Sequence, residues 1–121
     1  MARRRGSRPL VVGRHRYLWS HTHAHERAAG GYRDCREVLT IRRDGSPGLL
    51  DVVFHAGPDH LVPDGLLHRG AVRRPDGRVL NLNEPGVVRA LLDRALAGGW
   101  RPDQPGRVRL DGWPLADAGS R

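Results

Sequence analysis

Ser20-His21-Thr22-His23-Ala24-His25 is the segment whose residue types and spacing point most directly to chemistry. On an extended strand, alternate residues share a face and lie about 6.5–7 Å apart, so His21, His23 and His25 would form one row. Neighbouring imidazoles of such a row can chelate one ion, zinc or a similar metal. A third ligand from the same strand is strained, because a tetrahedral ion wants donors about 2 Å away converging from different directions. Cys35, Glu26 or one of His15, His55, His60 and His68 would then complete the shell. The same row also reads as an ordinary polar strand end in water. His25-Glu26 opens a His-Glu-x-x-His pattern, but position 29 is Ala29, so that zinc signature fails.

Other catalytic sets are incomplete. Cys35 is the single cysteine, which excludes an intramolecular disulfide and a multi-cysteine zinc site within one chain. Arg36 beside it would favour a thiolate, whereas Asp34 and Glu37 oppose one, and a lone strand cysteine is ordinarily a small buried hydrophobe. Ser7, Ser20, Ser46 and Ser120 sit in no nucleophile elbow. The chain has no lysine, hence no Walker loop, and no Gly-x-Gly-x-x-Gly. A non-enzyme is the leading expectation.

The net charge of +8 invites a polyanion reading. Six of the 21 basic residues lie in the first sixteen positions, where there is no acid, leaving 15 against 13 for the rest. The excess therefore sits in an arm, and Arg3, Arg4, Arg5, Arg8 and Arg14 are its candidate phosphate contacts. Arginine suits bidentate phosphate binding. Abundant Gly, Ala, Pro and Val beside the arginines is also what a GC-rich coding background produces, so arginine number alone does not decide. Aromatic interleaving is poor: Tyr17 and Trp19 alone stand close together, which gives no stacking platform.

The elements that must position these residues follow from local pattern. Residues 1–13 read as a flexible basic arm. Residues 16–22 alternate as a first strand, 23–34 as a loop with Gly30-Gly31, and 35–43 as a second strand. Asp44-Gly45-Ser46-Pro47-Gly48 is a turn into a third strand at 49–55, which makes a hairpin. A loop-rich stretch, 57–70, precedes a second hairpin, 71–74 and 78–82, around Pro75-Asp76-Gly77. The run from Asn83 to Trp100 then carries every helix signal. Asn83 or Glu84 caps it and Pro85 opens it; Val87, Val88, Leu91, Leu92, Ala95 and Leu96 form one apolar face, and Gly98-Gly99 supplies a left-handed stop. Residues 107–110 form a short strand, and 113–121 a tail with Trp113 as an anchor.

Strands in a run, one main helix and a last strand argue α+β: an antiparallel sheet of about five to six strands, with two hairpins, covered on one face by the helix. The single domain would span 14–112. No apolar run approaches the roughly 20 residues that cross a bilayer, and Leu10-Val11-Val12 is too short for a signal-peptide core. The cytoplasm, with no membrane partner, is the expected setting.

The Pro85-started helix with Ala95-Leu96, then Gly99-Trp100 and Pro102, together with the Arg16-Tyr17-Leu18-Trp19 opening and the Leu110 strand, resembles a group of small uncharacterised bacterial proteins. In those, many members have Thr where this chain has Glu84. The resemblance covers the helix, its flanks and the first strand; it implies a small α+β domain and no activity. The expected function is a non-catalytic binding or accessory module acting by protein–protein contact through an open sheet face or edge. The alternatives are a nucleic-acid-associated protein using the arginine arm and a metal-dependent enzyme on the histidine row.

Overall fold

A computed structural model describes residues 7–28, 31–56, 71–73 and 78–118. In chain order the elements are β1 (Arg8–Val12), β2 (His15–Ala28), β3 (Gly31–Arg43), β4 (Gly48–His55), β5 (Ala71–Arg73), β6 (Val79–Asn81), α1 (Pro85–Ala97), β7 (Gly106–Asp111) and α2 (Gly112–Ala118). Five strands form one sheet in the order β1-β2-β3-β4-β7, and β5 with β6 forms a separate two-stranded sheet. The first four strands of the large sheet pair antiparallel, and β7 pairs parallel with β4.

That parallel pair corrects the wholly antiparallel expectation. A parallel neighbour needs a crossover of a dozen residues or more, and the segment carrying β5, β6 and α1 supplies it. The β5–β6 hairpin is present as strands, but outside the main sheet; its expected turn at Pro75-Asp76-Gly77 lies outside the described residues.

The helix forms as its signals predict. Pro85 occupies the first turn, and Val88, Leu91, Leu92 and Ala95 are buried on the apolar face. Its end is a Schellman closure: Gly99 N–H donates to Leu96 O at 3.1 Å and Trp100 N–H to Ala95 O at 3.0 Å. Gly99 carries the positive φ, +111°, while Gly98 stays right-handed. Glu84 stands at the N-cap but makes no side-chain cap hydrogen bond.

Three expectations of irregular chain give way to regular structure. Residues 23–28 and 31–34 belong to the paired strands β2 and β3 and not to a loop, because the alternation begun at Tyr17 continues through His25. Residues 8–12 are an edge strand and not a mobile arm, because Leu10 and Val12 face inward and pack on the core. Residues 113–118 belong to α2 and not to a tail, because Trp113 and Ala116 are buried there. Residues 1–6 lie outside the described residues.

Register places Tyr17, Trp19, Leu39, Ile41, Leu50, Val52 and Phe54 on one face of the sheet, and α1, α2, Val72 and Leu82 complete the core there. The chain crosses itself tightly at Gly48, where a Cβ would come within 2.7 Å of the carbonyl oxygens of Pro102 and Gln104. Those are backbone atoms that cannot yield, so only glycine fits. No described helix is long and apolar enough to cross a membrane.

Candidate functional site

The row Cys35, Glu37, Leu39, Ile41 runs along the inner face of β3. It begins in apolar residues at the helix-covered end and finishes in a carboxylate and a thiol. Glu37 is fully buried. A buried carboxylate is costly unless charge and hydrogen bonds answer it, and two histidines of β2 do so. His21 Nδ1 donates to Glu37 Oε1 at 3.1 Å, and His23 Nδ1 donates to Glu37 Oε2 at 3.2 Å. The register sets His21 opposite Leu39 and His23 opposite Glu37, which brings both rings onto one side chain.

His21 also donates from Nε2 to Asn83 Oδ1 at 2.7 Å, in the turn that leads to α1. Both its nitrogens thus face acceptors, which suits an imidazolium. Its pKa is raised above 6.5, first by the hydrogen bond to Glu37, then by Asn83 and the charge of Glu37; burial and Arg8 act against this. The folded state holds that proton more tightly than the unfolded chain. Its stabilising contribution is therefore complete below about pH 6.5 and fades as pH rises through the elevated folded value. In urea melts of metal-free protein, the gap in midpoint between the native chain and His21→Gln should be wider at about pH 6 than at about pH 8.5. An equal gap at both would overturn this assignment.

His23 meets the same carboxylate through one ring nitrogen only. Its Nδ1–H is held by Glu37, so the lone pair is on Nε2. Carboxylate-held imidazoles of this kind are the usual form of a metal-ligating histidine. Two further donors lie beside it. The β2–β3 register slips between Ala24 and Glu26, so His25 faces a bulge where β3 presents an extra residue next to Cys35. The His23 and His25 rings approach to 5.3 Å between centroids. Ligand atoms of His23, His25 and Cys35 all lie within 4.8 Å of one another.

No family, no curated protein and no solved structure matches this chain. The chemistry of the site stands on its geometry.

The expected histidine row is thus divided. His23 and His25 converge with Cys35, while His21 is tied to Glu37 and Asn83 and stands outside the donor set. Glu37 and Asn83 are hydrogen-bond partners of these histidines that residue spacing did not single out. The signal for Glu37 was parity: it shares the inward register of Leu39 and Ile41, where a carboxylate has no reason to be unless something binds it.

The arginine candidates fare differently. Arg8 turns inward: its guanidinium lies 5.3 Å over the Trp19 ring and donates to Asn83 O at 2.8 Å. That bond ties β1 to the turn before α1, while Arg8 itself stays exposed. Arg14 is exposed in the β1–β2 turn, and Arg3, Arg4 and Arg5 lie outside the described residues. A groove of about 400 Å³ between the end of α1, β7 and α2, lined by Trp100, Val108, Leu110 and Leu115, shares no residue with the histidine cluster.

Proposed function

We propose that this protein binds one zinc-class ion through His23, His25 and Cys35, with one coordination position left open for water or substrate. The observation that carries the reading is the convergence of three donor atoms within 4.8 Å, one of them on an imidazole already fixed by buried Glu37. Tetrahedral zinc, with bonds of about 2.0–2.3 Å, sets its ligand atoms roughly 3.3–3.8 Å apart, so side-chain adjustments of about 1 Å close the set. One thiolate and two imidazoles are borderline-soft donors that favour zinc over magnesium or calcium. Three protein ligands are the pattern of centres that polarise a bound water or carbonyl, whereas structural zinc sites supply four. The exposed position of His25 leaves the centre reachable from solvent.

Untagged protein, stripped with chelator and reloaded, is expected to hold one zinc per chain. The cobalt-loaded form should show thiolate-to-metal charge-transfer absorption. Cys35→Ser should lose that band, and either Cys35→Ser or His23→Asn should weaken zinc binding by more than about 100-fold, beyond the loss typical of an outer-shell change. His21→Asn should retain one equivalent, which separates this donor set from the simple histidine row. Failure to reload stoichiometric zinc, or a Cys35→Ser variant that binds as tightly as the native chain, would overturn the proposal.

A further inference from the structure

The sheet has a second face, and its chemistry is unlike the first. Both helices bury their residues in the core on the inner face, and no described helix lies on the outer one. Across the outer face the register reads Ser20, Thr40, Asp51, Arg109 in one row, and Leu18 beside Arg42 and Leu49 beside Arg107 in the next. Arg16 follows Leu18 at the same parity along β2. Arginines 16, 107 and 109 are exposed, and Arg42 is half-buried.

The acid among them is already answered. Asp51 is buried, accepts from Thr40 Oγ1 at 2.8 Å and pairs with Arg107 Nε at 2.7 Å. Asp111, at the far end of β7, accepts the backbone N–H of Trp113 at 3.2 Å. The face thus has a buried centre at Asp51 and Val53, flanked by Val38 and exposed Asp111, and the guanidiniums of Arg16, Arg42 and Arg109 lie around it with Ser20. No tryptophan, tyrosine or phenylalanine shares it among the described residues.

We infer that this outer face is a binding surface for the phosphate backbone of double-stranded nucleic acid. Charge complementarity selects a polyanion. The basic groups are forked guanidiniums, which grip phosphate oxygens bidentately, and the Ser20 hydroxyl among them is a further phosphate donor. Arg107 and Arg109, two apart on one strand, are spaced about 6.6 Å, far enough apart for their guanidiniums to meet different phosphates of one strand. Without aromatic rings the face has nothing on which to stack splayed bases. Binding is therefore indifferent to sequence and prefers a duplex. The inference is independent of the metal centre, which occupies the other face of the sheet.

The test is fluorescence anisotropy with a labelled duplex of about 20 base pairs, a single strand of the same length and heparin, each titrated over salt. The full-length protein should bind the duplex saturably, with log affinity falling linearly in log salt. The triple variant Arg16→Gln, Arg42→Gln, Arg109→Gln leaves the Arg107–Asp51 pair intact. It should flatten the slope by about 0.9 per arginine removed and weaken binding at least tenfold at moderate salt. Arg89→Gln with Arg101→Gln, on the helix side, should leave both unchanged. Matched thermal melts of the two sets exclude unfolding as the cause. Four results would overturn the inference: no saturable duplex binding; heparin or single strand bound as well as duplex; a slope untouched by the triple variant; or a slope removed by Arg3→Gln, Arg4→Gln and Arg5→Gln with the face intact.

Discussion

Exchange of Glu37 for glutamine is expected to weaken zinc binding by about 10- to 100-fold, although Glu37 touches no metal. The carboxylate accepts from two imidazoles at once, one on each oxygen. An amide of the same shape offers one acceptor and one donor, so one of the two Nδ1–H groups would face an N–H. If His23 is the loser, its ring is free to turn or change tautomer, and its ligand atom is no longer fixed beside Cys35 and His25. If His21 is the loser, its imidazolium loses the negative charge that sustains it. Either way the second effect appears in the metal-free protein: a buried hydrogen-bonded group without its partner costs about 1–3 kcal/mol. Chelator competition reads the first effect and urea denaturation of metal-free protein the second. Unchanged zinc affinity with reduced stability would mean that Glu37 braces the hairpin but does not set the ligand.

The sequence made different parts of this molecule legible for different physical reasons. The helix was legible in full because its cap, stripe and stop are all local, and even Trp100 folding back follows from the Gly98-Gly99 stop. The β3–β4 hairpin was legible because Asp44-Gly45 needs a positive φ, which Gly45 supplies at +79°. Edge strand β1 was not, because a five-residue segment that contains Pro9, stops at Gly13 and follows a run of arginines looks like coil until Trp19 and Asn83 are seen to receive Arg8. The pairing of β7 with β4 depends on a crossover through the whole second half of the chain, and no local pattern encodes it. At the site, spacing could put the histidines in one row only if the strand ran past Thr22, where the sequence reading ended it and β2 continues. It could not say that His21 and His23 would share a carboxylate, nor that a register slip would carry Cys35 to His25. Those facts are relations between strands, and a strand's own sequence records only its parity.

The same relation between strands makes Phe54 the side chain whose loss should travel furthest. Phe54 is the chain's one phenylalanine, is fully buried on β4, and stands directly opposite Glu37 in the β3–β4 register. Its other side carries α2: the Trp113 ring meets it edge-on at 5.0 Å, and a Cβ on Gly112 would come within 2.6 Å of its ring atoms. Trp113 is further pinned by its indole N–H, which donates to His55 O at 2.9 Å. Phe54→Ala is expected to cost about 3–5 kcal/mol, a large share of the roughly 5–15 kcal/mol that holds a domain of this kind. Phe54→Leu, which keeps most of the volume, should cost clearly less. The cavity left by alanine lies between α2 and Glu37, so Trp113 emission should shift toward that of a solvated indole. Water reaching Glu37 would also weaken its hold on His21 and His23, and zinc affinity should fall with stability. A Phe54→Ala protein that loses stability but binds zinc as tightly as the native chain would show that Phe54 anchors α2 only and does not wall the carboxylate.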